Sequence, residues 1–280
     1  TTVFFKGCPL TCLWCHNPES QKSEREISFI PDKCIGCGWC FEHCPRHGHQ
    51  MQEGTHVLLR DQCVRCGTCA EKCYAGAIEV VGREMSVAEV IAEVLKDKPF
   101  YDNSGGGMTL SGGEPMRQFE FAAALLKAAK EAGLHTCLDT SGFAPIARYL
   151  ELVDVVDIFL YDLKDTDPER HQRTTGVPLQ PILDNLKQLD AAGGKTILRC
   201  PLIPGINTDD THLQAIAELA NSLTHLMEVT VHPYHPLGKS KSERLGLDHP
   251  LPDQGFAEDD TVDHWLAVIT AHTSVPVRRN

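Results

Sequence analysis

The sequence lacks long apolar runs, a secretory signal peptide and an excess of positive charge. No stretch approaches the roughly 20 apolar residues that span a bilayer, and the first residues have no signal-peptide pattern. With 26 basic and 38 acidic residues, the formal net charge is −12. Proteins that bind nucleic acid are normally basic, so these absences argue against both a nucleic-acid partner and a membrane partner.

Cysteine, by contrast, is abundant, with 13 in 280 residues. In a chain without a secretory signal, cysteines are typical of metal sites rather than of disulfides. We therefore expect a cytoplasmic protein whose cysteines bind metal. The length suits one large α/β domain with a small insertion.

Three cysteines close to the start follow a short apolar run. Cys8, Cys12 and Cys15 have C-x3-C-x2-C spacing, and the run at 3–5 predicts a strand that ends just before them. Full protein ligation of a [4Fe–4S] cluster takes four cysteines, so three leave one iron open to a non-protein ligand. A zinc site with His16 as fourth ligand is an alternative, but His16 follows Cys15 directly and would strain a tetrahedral site. A disulfide with one spare thiol does not suit this context.

Two further cysteine runs form an internal repeat with C-x2-C-x2-C-x3-C spacing. This is the spacing of bacterial two-cluster ferredoxins, in which the fourth cysteine of each run ligates the other cluster. It assigns one [4Fe–4S] cluster to Cys34, Cys37, Cys40 and Cys73. It assigns the other to Cys63, Cys66, Cys69 and Cys44. Two zinc knuckles are the alternative, although a third evenly spaced cysteine in each run is not a zinc pattern.

Four histidines lie near these runs and invite a metal site of their own. Because the cysteines already complete both clusters, we expect the histidines at the surface. They are His43, His47, His49 and His56.

From Ser86 onward, helix and strand patterns alternate, which is typical of a parallel sheet covered by helices. A first helix is predicted from the N-cap Ser86, ended by Pro99 and followed by a turn at 101–107. The predicted strands are 3–6, 108–111, 136–139, 156–161, 196–200 and 228–231. The later predicted helices are 119–132, 146–153, 167–175, 181–192, 209–223 and 259–271. Six strands suit an incomplete TIM-like barrel, although periodicity alone does not separate it from an open doubly wound sheet.

Glycines and charged residues follow several strands, at the barrel end where chemistry is found. The stretch 112–114 is either a glycine cradle with a carboxylate or a tight turn capped by Glu114. Asp162 and Lys164 lie on the same side of a strand by alternation, as an ion pair or as ligand contacts. Arg199 stands in an apolar strand, where it needs a carboxylate or a ribose as a partner.

The loop from Gly7 to Glu19 resembles the signature of the radical S-adenosylmethionine superfamily. With its Trp14–Glu19 stretch, it is similar to the activating enzymes of glycyl radical enzymes, the pyruvate formate-lyase activase family. The resemblance continues through 102–115 and 234–239 and covers nearly the whole chain. It implies a partial (β/α)6 barrel at 1–29 and 84–280, with a ferredoxin-like insertion at 30–83. Relatives begin with a further strand and a Gly-rich, Asp-containing turn, so we expect a segment before Thr1.

The resemblance also implies a cofactor site. The open cluster of Cys8, Cys12 and Cys15 would bind S-adenosylmethionine. The other predicted cofactor contacts are Trp14, His16, Gly112, Gly113, Glu114, Asp139, Asp162, Lys164, Arg199 and His235. Among them the GGE motif would hold the methionine amino group, Lys164 the carboxylate and His235 the adenosyl part. Asp139 would line the site together with a monovalent cation.

The activity implied by the resemblance is reductive cleavage of S-adenosylmethionine to methionine and a 5′-deoxyadenosyl radical. That radical takes hydrogen from a glycine Cα of a partner glycyl radical enzyme, under anaerobic conditions. The two inserted clusters would relay electrons from a flavodoxin or ferredoxin, or shape the docking surface. The alternatives are a radical enzyme acting on a small molecule and a non-catalytic iron–sulfur electron carrier. We expect a monomer.

Overall fold

Seven parallel strands form the main sheet, in a computed structural model that describes all 280 residues. Eleven strands occur along the chain. They are β1 (Thr2–Phe5), β2 (Glu26–Phe29), β3 (His49–Gln52), β4 (Thr55–Leu58), β5 (Ile78–Val81), β6 (Gly107–Gly112), β7 (His135–Thr140), β8 (Ile158–Asp162), β9 (Thr196–Leu202), β10 (Leu226–Pro233) and β11 (Val277–Arg279). The sheet order is β1-β6-β7-β8-β9-β10-β11, and every neighbouring pair is parallel. Because β1 and β11 do not pair, the sheet is an open, partial barrel.

Eleven α-helices lie along the chain, and all but the first two lie on the connections between the strands of this sheet. They are α1 (Trp39–His43), α2 (Thr68–Glu71), α3 (Val87–Val94), α4 (Lys98–Ser104), α5 (Phe119–Glu131), α6 (Ile146–Leu152), α7 (Pro168–Thr175), α8 (Gln180–Ala191), α9 (Asp210–Asn221), α10 (Gly238–Leu245) and α11 (Asp259–Ala271). None is long and apolar enough to cross a bilayer. All six predicted strands and the six later predicted helices are present within one or two residues of their predicted ends, and β11 is an addition.

The prediction around Pro99 is wrong. The helix that begins at Ser86 has the predicted capping box, with the Ser86 hydroxyl accepting from the Glu89 N–H. It ends at Val94, and Pro99 then lies in the first turn of α4, where its missing N–H leaves no hydrogen bond unmade. Much of the turn predicted at 101–107 is therefore helical and ends at Gly105, which has the left-handed φ of 68°.

Alternation along the strands separates the core from the opposite face of the sheet. In β9, residues 196, 198, 200 and 202 are buried, and the residues between them are only partly buried. Leu138, Phe159 and Leu198 belong to a core of 40 buried residues between the sheet and its helices. Asp139 and Asp162 alternate with these core residues, as Arg199 does, so their side chains point away from the helices.

Between β1 and α3 the chain builds a small separate core around the two cysteine runs. Here β2 pairs with β5 and β3 with β4, both antiparallel, and none of these four strands was predicted. Each strand has only four residues, which is too short for a clear pattern. The core has seven buried residues, two of them cysteines: Ile27, Phe29, Cys40, Leu58, Cys69, Ala77 and Ile78.

Two of the four histidines in this part are not at the surface. His43 and His47 are exposed, as predicted. His49 and His56 are each only 6% exposed, so that prediction is wrong for them. They lie diagonally across the β3–β4 hairpin, with Leu58 opposite His49 in the register. The Phe29 and Phe41 rings pack on His56 and complete the burial.

Candidate active site

A cavity of about 240 Å³ opens at the C-terminal ends of the main-sheet strands. Every residue predicted for the cofactor site lines it, with the exception of Glu114. These lining residues are Cys8, Cys12, Trp14, Cys15, His16, Gly112, Gly113, Asp139, Asp162, Lys164, Arg199 and His235. They come from β1 and its loop and from the ends of β6 through β10, so the sheet order brings distant parts of the sequence to one place.

The three-cysteine loop is fastened on both sides by backbone hydrogen bonds. Thr11 N–H donates to Thr175 O (2.8 Å) at the end of α7, and Glu114 N–H donates to Gly7 O (2.8 Å). Gly113 packs so closely that a Cβ there would lie 2.5 Å from the carbonyl oxygens of Gly7 and of Ser20. The glycine therefore serves the approach of the loop backbone, which fixes where the cysteines lie.

The three cysteines of this loop are partly buried. Burial raises the pKa of the Cys8 thiol to about 12, with a further increase from the charge of Glu114. Burial also raises the pKa of Cys12 to about 11, against the opposing charge of Lys164. A coordinated metal deprotonates a thiol outright, so thiolates form here when metal binds.

The ligand atoms of the loop lie too far apart for the zinc alternative. The ligands of a tetrahedral zinc ion lie about 3.8 Å or less from one another. No three of Cys8, Cys12, Cys15 and His16 bring their ligand atoms within 4.8 Å of one another. His16 Nε2 donates to the carbonyl oxygen of His235 at 3.0 Å, and the two imidazole rings stack with centroids 3.9 Å apart. The loop therefore offers three thiols, which fits a cluster with one iron free of protein ligands.

Two carboxylates and two cations meet at the ends of β7, β8 and β9. Arg199 Nη1 lies 2.6 Å from Asp139 Oδ1, and Lys164 Nζ lies 2.8 Å from Asp162 Oδ2. Ser111, whose role was not predicted, donates its hydroxyl to the other Asp139 oxygen at 2.7 Å. Burial raises the pKa of the Asp162 carboxyl, but the charges of Lys164 and Arg199 outweigh it and lower the pKa overall. The formal charges in this group balance.

The prediction that Glu114 faces the ligand is wrong, and the capped turn is what forms. Its side chain is fully buried and does not line the cavity. Oε1 accepts from Met116 N–H (3.1 Å) and from the Thr140 hydroxyl (2.9 Å). Oε2 accepts from the N–H and the hydroxyl of Ser141, at 2.8 and 2.6 Å. The carboxylate thus ties β6 to β7 behind the glycines, with no contact left for a ligand.

His232 also lines the cavity, although no predicted strand or motif includes it. It lies within β10, where Val229 and Val231 face the core, so alternation along the strand points its ring to the opposite side. Burial and the charge of Arg199 lower its pKa to about 4. A strand predicted to run two residues further would have revealed this position.

Several buried polar atoms at the cavity have no hydrogen-bond partner. They are Arg199 Nε, Tyr234 Oη and His235 Nδ1. Arg199 Nε lies 3.6 Å from Asp162 Oδ1, which is an ion pair too long to be a hydrogen bond. Buried polar groups are normally hydrogen-bonded, so each is available to a polar ligand. Trp14, Ile203 and Tyr234 form an apolar cluster beside them. A cationic amino acid with a nucleoside part, such as S-adenosylmethionine, fits charged groups at one side and an apolar wall at the other.

The cysteines of the repeat also gather in two groups. Burial, with the charges of three neighbours, raises the pKa of the Cys40 thiol to about 11; these neighbours are Cys34, Cys37 and Cys73. Burial and its own neighbours raise the pKa of Cys69 to about 12, and these include Cys63, Cys66 and Cys44. Each group contains the fourth cysteine of the other run, as the ferredoxin spacing predicts. The ligand assignment itself stays a prediction.

Two protein-family models match the chain. One, described as the radical SAM superfamily, matches residues 63–218. The other, described as a 4Fe-4S dicluster domain, matches residues 26–74. The first covers more than half of the chain, and the three-cysteine loop lies ahead of it, before the repeat.

Curated relatives are similar over most of the chain. The trans-4-hydroxy-L-proline dehydratase activating enzyme of Clostridioides difficile is 42% identical over 88% of this chain and 82% of its own length. The benzylsuccinate synthase activating enzyme of Thauera aromatica is 41% identical over 88% and 76%. The choline trimethylamine-lyase activating enzyme of Oleidesulfovibrio alaskensis is 36% identical over 96% and 89%.

Solved structures agree with this relationship. A domain of the pyruvate-formate lyase-activating enzyme of Bacteroides vulgatus superposes with a TM-score of 0.53 at 26% identity, over 62% of this chain and 99% of that one. SuiB of Streptococcus suis, at 12% identity, shares the fold with a TM-score of 0.60 over 100% of this chain and 48% of its own. The chain therefore belongs to the radical S-adenosylmethionine superfamily, among the activating enzymes of glycyl radical enzymes.

Proposed function

We propose that this chain activates a glycyl radical enzyme of the dehydratase and lyase group, with S-adenosylmethionine bound in the cavity beside Cys8, Cys12 and Cys15. The observation that carries the proposal is the convergence of three thiols, two ion pairs and unpartnered polar atoms on one cavity. Bound there, the cluster and S-adenosylmethionine supply the electron and the 5′-deoxyadenosyl radical that takes hydrogen from a glycine Cα.

Different residues of the cavity contact different parts of this cofactor. Lys164 is the cation for the cofactor carboxylate, since it lines the cavity and only 13% of its side chain is exposed. Gly112 and Gly113 present backbone for the amino group, because Glu114 turns its side chain away. Arg199 Nε and His235 Nδ1 remain for the adenosyl part. Trp14 and its apolar neighbours keep water from this side.

The repeat supplies two further [4Fe–4S] clusters in this proposal, for three in all. Residues 30–83 form the ferredoxin-like insertion together with β2, which pairs with β5 and adds Ile27 and Phe29 to the smaller core. The rest of 1–29 forms the barrel with 84–280. The insertion passes electrons from a flavodoxin or ferredoxin toward the three-cysteine loop. Contact between the two parts supports a fixed arrangement: Arg60, in the insertion, donates to Arg244 O (2.6 Å) in α10.

The predicted monovalent cation has little support from the side chains around Asp139. Both oxygens of that carboxylate already have partners, Arg199 and Ser111. With Asp162 paired to Lys164, the local charge is balanced without a further ion. A cation there would have to displace one of these contacts.

The compartment and assembly state follow from simpler arguments. All thirteen cysteines are free, which suits the reducing cytoplasm of an anaerobic cell. We place the working enzyme there as a monomer, with the glycyl radical enzyme as its protein substrate.

The test is the transfer of the radical to a protein. The reduced, fully loaded chain is mixed under anaerobic conditions with S-adenosylmethionine and the glycyl radical enzyme encoded beside its gene. We expect the doublet of a glycyl radical in the electron paramagnetic resonance spectrum. The doublet should be absent with Cys12→Ala and with a partner whose radical glycine is replaced by alanine. Cofactor cleavage without a doublet would point instead to a small-molecule substrate.

A further inference from the structure

Two buried imidazoles lie against one of the cysteine groups of the repeat, and no part of the function described above uses them. His56 Nδ1 is 3.3 Å from Cys34 Sγ, and His56 Nε2 is 3.9 Å from Cys40 Sγ. His49 Nδ1 is 2.9 Å from His56 Nε2. The three side chains Cys40, His49 and His56 are all buried and have their ligand atoms within 4.8 Å of one another.

A mononuclear metal bound by these three side chains does not fit the distances. Two nitrogen ligands on a tetrahedral zinc ion, at about 2.0–2.1 Å from the metal, lie roughly 3.3 Å or more apart. The nitrogens of His49 and His56 are closer, at 2.9 Å, which is an ordinary hydrogen-bond length. One ring therefore donates an N–H to the nitrogen of the other ring, so these two nitrogens do not both direct a lone pair at a metal ion.

The direction of that bond fixes the tautomer of His56. If His56 donated from Nε2, its Nδ1 would be bare and would face the Cys34 sulfur with a lone pair. A metal-bound cysteine is a thiolate, which accepts hydrogen bonds and donates none. The favourable arrangement is the reverse one, in which His49 donates to His56 Nε2 and His56 Nδ1–H donates to Cys34 Sγ.

We infer that His56, held in this tautomer by His49, donates a hydrogen bond to Cys34 and raises the reduction potential of the cluster that Cys34 helps to bind. The inference rests on the proposed function, in which Cys34, Cys37, Cys40 and Cys73 bind a [4Fe–4S] cluster. A reduced cluster carries one more negative charge, so a donor to its sulfur stabilises the reduced form more than the oxidised form. His56 thus acts on the electron supply through its hydrogen bond to Cys34, and it is a positioning residue rather than a ligand of the cluster.

The surroundings hold the His56 ring in place. The Phe29 ring lies 4.5 Å and the Phe41 ring 4.8 Å from it, between centroids. The other cysteine group has contacts of other kinds: Gly48 N–H donates to Cys44 Sγ (3.2 Å), and Cys66 Sγ lies 3.4 Å from Thr68 Oγ1. An imidazole donor is specific to the Cys34 group, so the two inserted clusters are not equivalent.

The experiment is a redox titration of the full, reconstituted chain, followed by electron paramagnetic resonance. In His56→Phe, which keeps an aromatic ring but no donor, one inserted cluster should move to a more negative midpoint potential. In His56→Asn, whose amide nitrogen takes the place of Nδ1, the potential should return toward that of the wild type. A Cys37→Ser variant identifies the signal of the Cys34 group. The control His43→Phe changes an exposed histidine that stacks on Trp39 and whose ring bonds the Trp39 carbonyl rather than a cysteine sulfur, and it should move no potential.

The outcomes separate this inference from the proposed function. A wild-type protein with about twelve irons and three reducible clusters supports the proposed clusters. If His56→Phe then has unchanged potentials, the inference is wrong and the clusters stand. If the wild type lacks the two inserted clusters, both the inference and the proposed clusters are wrong. Should His56→Phe fail to load iron, His49→Phe and His49→Asn decide. Of these two variants, only His49→Phe should shift the midpoint potential. If His49→Phe and His49→Asn have equal potentials, the hydrogen bonds from His49 through His56 to Cys34 do not set the potential.

Discussion

Replacing Lys164 by methionine should weaken the binding of S-adenosylmethionine without unfolding the sheet. Lys164 Nζ pairs with Asp162 Oδ2 at 2.8 Å, and both side chains line the cavity. The cavity now holds two carboxylates and two cations. Without Lys164 it carries an excess negative charge, and an anionic cofactor carboxylate loses the cation proposed to meet it.

The size of the effect follows from the burial at this place, because the proposed contact between Lys164 and the cofactor carboxylate forms beside Asp162. The two side chains are 13% and 19% exposed, so solvent screens them only in part. Removing one partner of a buried, hydrogen-bonded charge pair typically costs about 2–5 kcal/mol. The cavity is open to solvent on one side, so we take the lower part of that range, about 2–3 kcal/mol. At tenfold for every 1.4 kcal/mol, Kd should rise about 30- to 150-fold.

The assay is calorimetric titration of the loaded, oxidised protein with S-adenosylmethionine under anaerobic conditions. Lys195→Met is the matched control, because Lys195 is exposed and precedes β9 at the opposite end of the sheet. Its Kd should equal that of the wild type. A Lys164→Met variant that binds within threefold of the wild type, with the same iron content, would refute the placement of the cofactor carboxylate.

Three further predictions concern stability and loop geometry. Arg170→Met should lower the free energy of unfolding by about 3–5 kcal/mol, because it leaves the fully buried carboxylate of Asp165 without the guanidinium that contacts it at 2.6 and 2.9 Å. In the same urea titration, a variant of an exposed arginine, Arg173→Met, should stay within about 0.5 kcal/mol of the wild type. Gly113→Ala should abolish iron binding at the three-cysteine loop, since its Cβ meets two backbone oxygens at 2.5 Å, whereas Gly255→Ala, with open space around it, should load normally. Removing iron with a chelator should expose the amides of β2–β5 to hydrogen exchange while those of β6–β10 stay protected, because the smaller core has only seven buried residues. Equal protection of both parts after iron removal would show that the smaller core does not depend on metal.

Much of the site could be predicted because its signals are local. The spacing of the cysteines fixes how many thiolates each loop offers, whatever the rest of the chain does. Alternation continued past the end of β8 puts Asp162 and Lys164 on one side, and the structure pairs them at 2.8 Å. A lone arginine in an apolar strand needs a charged partner, and Arg199 forms an ion pair with Asp139.

What could not be predicted depends on contacts between distant segments. The carboxylate of Glu114 is taken up by Thr140 and Ser141, which approach it only when β6 pairs with β7. His49 and His56 become buried because a short hairpin folds them against aromatic rings. Strand β11 has three residues and two arginines, and no local pattern marks it as part of a sheet.

The proposed function requires that S-adenosylmethionine is cleaved at the loop of Cys8, Cys12 and Cys15. The product to measure is 5′-deoxyadenosine, detected by mass spectrometry after the loaded protein is reduced with dithionite and given S-adenosylmethionine. The wild type should form it, and Cys12→Ala should form none while it retains the iron of the two inserted clusters. If a fully loaded wild type forms no 5′-deoxyadenosine, or if Cys12→Ala forms as much as the wild type, cleavage does not take place at this loop.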